Sequence, residues 1–293
     1  MKKWCFWLMA GVVAAGTWWA GVCLGGEMEQ ETEAEEVEIS EEALRAEIGD
    51  AEAAWRLMER VRSGVPQVPL AMEATIKALS GTGRTLGKVR ANVTYRPDVE
   101  DPAVRRATYA MLAEDGREEE AVMCIRLPRG GDDAPEFRYE CPPGTAAAVP
   151  DLFAPVGGTD VCWMELSFSF LFWARPRIVG VEVLRKRWTC QVVELEVPAG
   201  MGGGEDGWNR LRLWVAPAYG AVVQGVALRG EEEVKRFEVE SVTRVRQTYM
   251  VSDMLVRDLA KGTRSRLKIG GLELLAPDYT PEQRAVLDAP VAW

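Results

Sequence analysis

The sequence contains no histidine. That absence excludes a Ser-His-Asp triad, a Cys-His dyad and any histidine-ligated metal site, because imidazole is the usual general base and the commonest metal ligand. Catalysis by carboxylates or lysine stays open, yet no acidic pair stands at a spacing that sets two acids across one cleft. There is no C-x-x-C pair, which removes the ordinary zinc and redox motifs. The nine uncharged residues between Glu165 and Arg175 are too few to span a bilayer, which takes roughly 20 apolar residues. Nor is there a basic surplus. The formal net charge is −10, which argues against nucleic acid as a partner, since phosphate binding draws on clustered Lys and Arg.

What is present begins with a leader. Lys2 and Lys3 precede an uncharged stretch, residues 4–26, that ends on Gly25 and Gly26 just before Glu27. This is the layout of a secretory signal peptide over residues 1–26, with cleavage expected near Gly25 or Gly26. Two rivals stand beside it: a membrane anchor kept through residues 4–26, or a lipid on Cys23, although Val22 is a poor fit to the lipoprotein peptidase. All three place the rest of the chain outside the cytoplasm, in the periplasm or on its membrane. Four of the six cysteines lie beyond the leader: Cys124, Cys141, Cys162 and Cys190. An even number in an exported chain permits two disulfides with three possible connectivities, and spacing does not choose among them.

Residues 27–48 are dominated by Glu and contain no aromatic side chain, so they cannot bury enough apolar area to order themselves and read as an acidic flexible segment. Its end can be helical, because Ser40-Glu41-Glu42-Ala43 looks like a helix start. Residues 49–293 then form the main domain. Ala54, Leu57, Met58 and Val61 recur at helical spacing over 50–62, with Arg56, Glu59 and Arg60 opposite. From residue 69 the period changes to two: Leu70, Met72, Ala74, Ile76 and Ala78, then Val89, Ala91, Val93 and Tyr95. Similar runs follow to residue 274, separated by short acidic, Gly or Pro turns, and residues 277–293 read as a terminal turn and short helix. The fold class is α+β, mainly β, with about ten or eleven strands in one twisted antiparallel sheet. A sheet of that size must curl or close on itself.

One stretch stands apart. Between Glu165 and Arg175 lie nine uncharged residues, four of them Phe or Trp. A curled sheet has an apolar concavity, and Trp163, Met164, Phe168, Leu171 and Phe172 form a face that would cover it, with some irregularity around Ser167 and Ser169. The same residues equally serve as a solid core.

The order of pieces resembles a known family. Met164-Glu165-Leu166-Ser167-Phe168 is followed by a hairpin containing Val179-Gly180, then CQVVELEVP over 190–198, Leu211-Arg212-Leu213-Trp214-Val215 and Gly262-Thr263-Arg264-Ser265-Arg266-Leu267. Together they resemble the outer-membrane lipoprotein-sorting (LolA-like) family of bacterial periplasmic proteins, best over residues 150–270 and in outline over 50–150. The resemblance implies a curved antiparallel half-barrel whose concave face is covered by helices. It also implies a non-catalytic protein that holds lipid acyl chains or a lipoprotein in an apolar groove. The groove or lid residues would be Met72, Ile76, Val89, Val93, Trp163, Met164, Phe168, Leu171, Phe172 and Leu213. Membrane contact would be transient or through an uncleaved leader, the chain a monomer, and no cofactor or metal is called for. The competing reading is an envelope interaction or stress-regulatory module with a filled core, meeting an acidic protein partner through Arg175, Arg177, Arg185, Lys186 and Arg187.

Overall fold

In a computed structural model the described residues are 40–275, apart from 65–68, 98–103, 114, 115, 117, 129–133, 200, 202–206 and 246–247. The leader, the acidic stretch 27–39 and the terminal helix expected in 277–293 lie outside the described residues.

Two helices lead into the sheet. Helix α1 spans Glu41–Ala46, and its buried Leu44 joins the end of the acidic stretch to the domain. The Gln191 side-chain amide donates to the Leu44 carbonyl at 3.4 Å and to Glu47 Oε2 at 2.7 Å. Helix α2 spans Ala51–Ser63. The Asp50 carboxylate caps it by accepting from the backbone N–H of Glu52 at 2.8 Å and Ala53 at 3.1 Å, satisfying donors that the first turn leaves orphaned. Its apolar stripe of Ala54, Leu57, Met58 and Val61 is buried as the spacing predicts, and Arg62 is buried beside it. Among the described residues no helix is long and apolar enough to cross a membrane.

The strands form two meanders. The first comprises β1 (Leu70–Leu79), β2 (Thr85–Pro97), β3 (Arg105–Leu112), β4 (Glu119–Leu127), β5 (Glu136–Glu140) and β6 (Ala146–Ala147). The second comprises β7 (Arg177–Leu184), β8 (Trp188–Glu196), β9 (Arg210–Ala216), β10 (Ala221–Arg229), β11 (Glu232–Val245), β12 (Thr248–Asp258) and β13 (Thr263–Leu274). That makes thirteen strands where ten or eleven were expected; β6 is only two residues long, too short for any alternation to register. Every pairing is antiparallel, and β1 zips onto β13 from Leu70↔Leu274 to Leu79↔Arg264. The sheet order is β6-β5-β4-β3-β2-β1-β13-β12-β11-β10-β9-β8-β7. The result is an open, curved half-barrel.

This order explains the apolar stretch. Strands β6 and β7 are consecutive in the chain but lie at opposite edges of the sheet. Laid flat, thirteen strands at about 4.8 Å spacing would be nearly 60 Å wide, so the link between them has to travel across a face. It takes the concave one, where the alternating side chains Leu70, Met72, Ala74 and Ile76 need cover. The link contains a 3-10 turn at Val156–Gly158, helix α3 (Trp163–Ser167) and a second 3-10 turn at Ser169–Phe172.

A second, smaller apolar cluster occupies the other face of the sheet: Cys190, Val192, Trp214, Ala216, Val226 and Leu228. It separates Cys190 from Cys162, which lies in the main core. All four cysteines beyond the leader are free thiols, Cys162 and Cys190 buried, Cys124 half-buried and Cys141 exposed. The disulfides that their even number permits are therefore not formed.

Candidate functional site: a latched apolar cover

All ten residues expected to line a groove or its lid fall in one apolar assembly. Met72, Ile76, Val93, Trp163, Met164, Leu171, Phe172 and Leu213 are buried members, with Val89 and Phe168 partly buried against them. Leu213, on β9, is five strands from β1 in the sheet order, so these residues mark a long strip of the concave face rather than one spot. The floor beneath Trp163 is aromatic: its ring stands edge-on to Tyr109 and to Tyr139, each 6.5 Å away centre to centre. The Tyr95 and Tyr109 hydroxyls satisfy each other at 2.9 Å, and burial pushes the ionisation of both upward.

The cover is not one helix. Ser167 Oγ donates to the Trp163 carbonyl at 2.7 Å and lies 2.8 Å from Ser169 Oγ, a local pairing that competes with continued helix. Phe168 then takes the left-handed conformation, φ 53° and ψ 24°, which is strained for a bulky L-residue. The break resets the helical register. Phe170 and Trp173 consequently turn inward and are fully buried, although regular helical spacing over 163–172 does not select them. Phe170 packs on Phe237 at 5.6 Å, and Trp173 on Trp208 at 5.8 Å.

Polar contacts that sequence reasoning missed latch this cover to the scaffold. At its start, the buried Asp160 accepts from Thr263 Oγ1 at 2.6 Å and Ser265 Oγ at 2.9 Å, while its own N–H donates to Ser265 Oγ at 2.8 Å. In the middle, Glu165 Oε2 accepts from the Cys162 N–H at 2.9 Å and pairs with Lys235 Nζ at 2.7 Å. At the end, Arg62 Nε donates to the Leu171 carbonyl at 2.8 Å. Burial opposes a charge on Lys235, but Cys162, Glu165 and Asp258 outweigh it and hold the ammonium above its usual range. Burial and the neighbouring Glu165 charge push the Cys162 thiol up to about 12. These partners lie 70 to 109 residues apart along the chain, so no local pattern announces them. Thr263 and Ser265 do sit inside the Gly262–Leu267 motif quoted above.

The basic cluster is largely engaged. Arg177 pairs with Glu194 at 2.9 Å and Arg185 with Glu240 at 3.3 Å. Arg185 and Arg187 both lie over the Trp188 ring, at 5.7 and 5.4 Å. Arg185 and Lys186 have positive φ, 51° and 54°, as the tip of a tight hairpin turn requires. Among the described residues no group of Cys, Asp and Glu gathers as a metal site would.

No protein-family model matches the chain, and no curated protein matches it. Solved structures do. A DUF1329 family protein from Desulfovibrio piger superposes with a TM-score of 0.62 at 14% identity, covering 82% of this chain and 97% of the other. A protein described as an outer membrane lipoprotein-sorting domain from Vibrio parahaemolyticus gives 0.63 at 11% identity, covering 81% and 99%. A LolA superfamily protein from Nitrosomonas europaea gives 0.53 at 14% identity, covering 78% and 95%. At such identities the likeness is one of architecture: this chain has a LolA-like fold.

Proposed function

We propose that the protein is a non-catalytic periplasmic binding protein that holds lipid acyl chains, or the acyl chains of a lipidated protein, under residues 161–173. The observation that carries this reading is the way the cover is attached. Its interior contacts are almost wholly apolar, while among the described residues its polar side-chain ties to the scaffold run through Asp160, Glu165 and the Leu171 carbonyl. Apolar contact is non-directional and worth about 0.8 kcal/mol per buried methylene. Acyl chains entering beneath the cover would recover the area lost as Phe168 and Phe172 withdraw. The curved sheet supplies the concave wall, and the names of two neighbours, a lipoprotein-sorting domain and a LolA superfamily protein, agree with this chemistry.

A second reading, an envelope interaction or regulatory module with a filled core, is favoured by one observation. Met164, Phe170 and Trp173 are at most 2% exposed, so the cover's own side chains already occupy much of the concavity.

Native mass spectrometry of the protein purified gently from its own envelope separates the two. Co-purified phospholipid or acylated peptide, lost on Phe168→Asp and Phe172→Asp with folding retained, supports the groove. A clean apo mass that also ignores added lipid and lipopeptide sinks it and leaves the filled-core module.

A further inference from the structure

Arg62 is only 5% exposed, yet among the described residues its terminal nitrogens Nη1 and Nη2 have no hydrogen-bond partner. Its Nε is committed to the Leu171 carbonyl, which fixes the plane of the guanidinium. Two aromatic rings lie against it, Trp55 at 4.9 Å and Phe172 at 5.9 Å from the guanidinium carbon. The nearby acidic charge that acts on it is Glu59, three residues earlier on α2, and that carboxylate is exposed and bonds neither terminal nitrogen. Burial works against the charge and lowers its ionisation from the ordinary value. A cation so placed forgoes hydration at both terminal nitrogens, a large cost unless something repays it.

We propose that Arg62 is the head-group site of the groove and that its ligand is an anionic amphiphile, a carboxylate or phosphate at the end of an acyl chain. The argument is stereochemical. Two parallel N–H groups on a planar cation match the two oxygens of a carboxylate or phosphate, a bidentate pairing that lysine cannot reproduce. The cation sits where α2 meets the cover, with Phe172 of the cover and the half-exposed Trp55 both within 6 Å of its guanidinium carbon. An anion arriving past Trp55 meets Nη1 and Nη2, while the chain behind it continues past Phe172 toward the concave face. Arg62 also follows directly on Val61, a member of the main apolar core, so head and tail sites adjoin. This inference rests on the groove reading for the tail; the anion site itself does not.

The test uses the full chain and displacement of the neutral fluorophore N-phenyl-1-naphthylamine. Competitors are dodecanoate, dodecyl phosphate and their neutral counterpart methyl dodecanoate, each below its micelle concentration. Acetate and inorganic phosphate, titrated calorimetrically, stand for the head alone. The anionic amphiphiles are expected to compete about tenfold more tightly than the ester, the scale of one charge-assisted pair. In Arg62→Met, which keeps the bulk and removes an unsatisfied buried cation, the ratio of acid to ester affinity falls to about one, whatever the lost tie to the Leu171 carbonyl does to both. Arg62→Lys retains charge but recovers little of it. Equal affinity for acid and ester in the native chain overturns the head-group site and leaves the groove intact. Inorganic phosphate binding that Arg62→Met abolishes, with no amphiphile bound, overturns the amphiphile proposal and assigns a free-anion site without a groove. Displacement by none of the three amphiphiles, with no binding heat from acetate or phosphate, overturns both.

Discussion

Lys235 Nζ, on β11, lies 2.7 Å from Glu165 Oε2, on the cover, with 12% and 4% of the two side chains exposed. Breaking this pair from one side strands a buried charge, which typically costs about 3–5 kcal/mol, whereas replacing both partners by apolar groups is often neutral. Lys235→Met is therefore expected to destabilise the fold strongly in denaturant titrations, and Lys235→Met with Glu165→Leu to recover most of that loss. A double variant no better than the single would show that the pair is not what holds the cover. The raised folded-state ionisation of Lys235 also sets a sign. Its stabilisation is complete below the ordinary lysine value and fades as pH rises through the higher folded value. The native chain should thus lose stability on strong alkalinisation, and the double variant should lose less.

Asp160 makes the second latch. Asp160→Ala leaves the buried Ser265 hydroxyl without its acceptor, at a cost of about 1–3 kcal/mol. The expected signature is local: amide hydrogen exchange should quicken over 156–172 and change little in β8 and β9. Uniform acceleration across the sheet would instead mark Asp160 as a general stability residue.

The contrast between what was legible and what was not follows from range. Met72, Ile76, Val89 and Val93 could be read as inward-facing because a strand's period of two is local. Trp163 and Leu171 were legible as apolar cover because the segment lacks charge. Phe170 and Trp173 were not, since the left-handed Phe168 shifts their phase, and the irregularity expected around Ser167 and Ser169 marks where the helix breaks but not the register that follows. The latches were invisible for another reason. Glu165, Asp160 and Arg62 are common surface residue types, and their partners come from distant segments that only the folded chain brings close: β11 for Glu165, β13 for Asp160 and the cover itself for Arg62.

Gly225 shows how closely the cover's floor is fitted. A Cβ at Gly225 would collide with the Phe237 ring, its cross-strand partner on β11, and Phe237 in turn carries Phe168 and Phe170. Gly225→Ala should cost about 1–3 kcal/mol by overpacking and perturb the cover from below. In the displacement assay it should alter N-phenyl-1-naphthylamine affinity, although residue 225 belongs to no groove residue set. Unchanged stability and affinity would mean that Phe237 moves freely and the floor is not rigid.

The cysteines give a prediction that bears on chemistry and pairing together. Burial first, and then the charges of Glu165 and Glu182, push the Cys162 and Cys190 thiols up to about 12. The thiolate is the reactive form, so at pH 8 both should resist iodoacetamide in the folded chain while the exposed Cys141 is alkylated. Peptide mapping after a short pulse should show modification at Cys141, less at the half-buried Cys124, and nearly none at the other two until denaturant is added. Full alkylation of all four in denaturant without reductant would agree with the unpaired thiols seen here, whereas a reductant requirement at any pair would overturn that arrangement. Because unfolded thiols ionise at lower pH than these buried ones, the unfolded chain sheds protons first on alkalinisation and stability falls with rising pH. Lys235 acts in the same direction. Cys162→Ala should therefore flatten the alkaline limb only in part, leaving the slope that belongs to Cys190, the buried Tyr95–Tyr109 pair and the lysine latch.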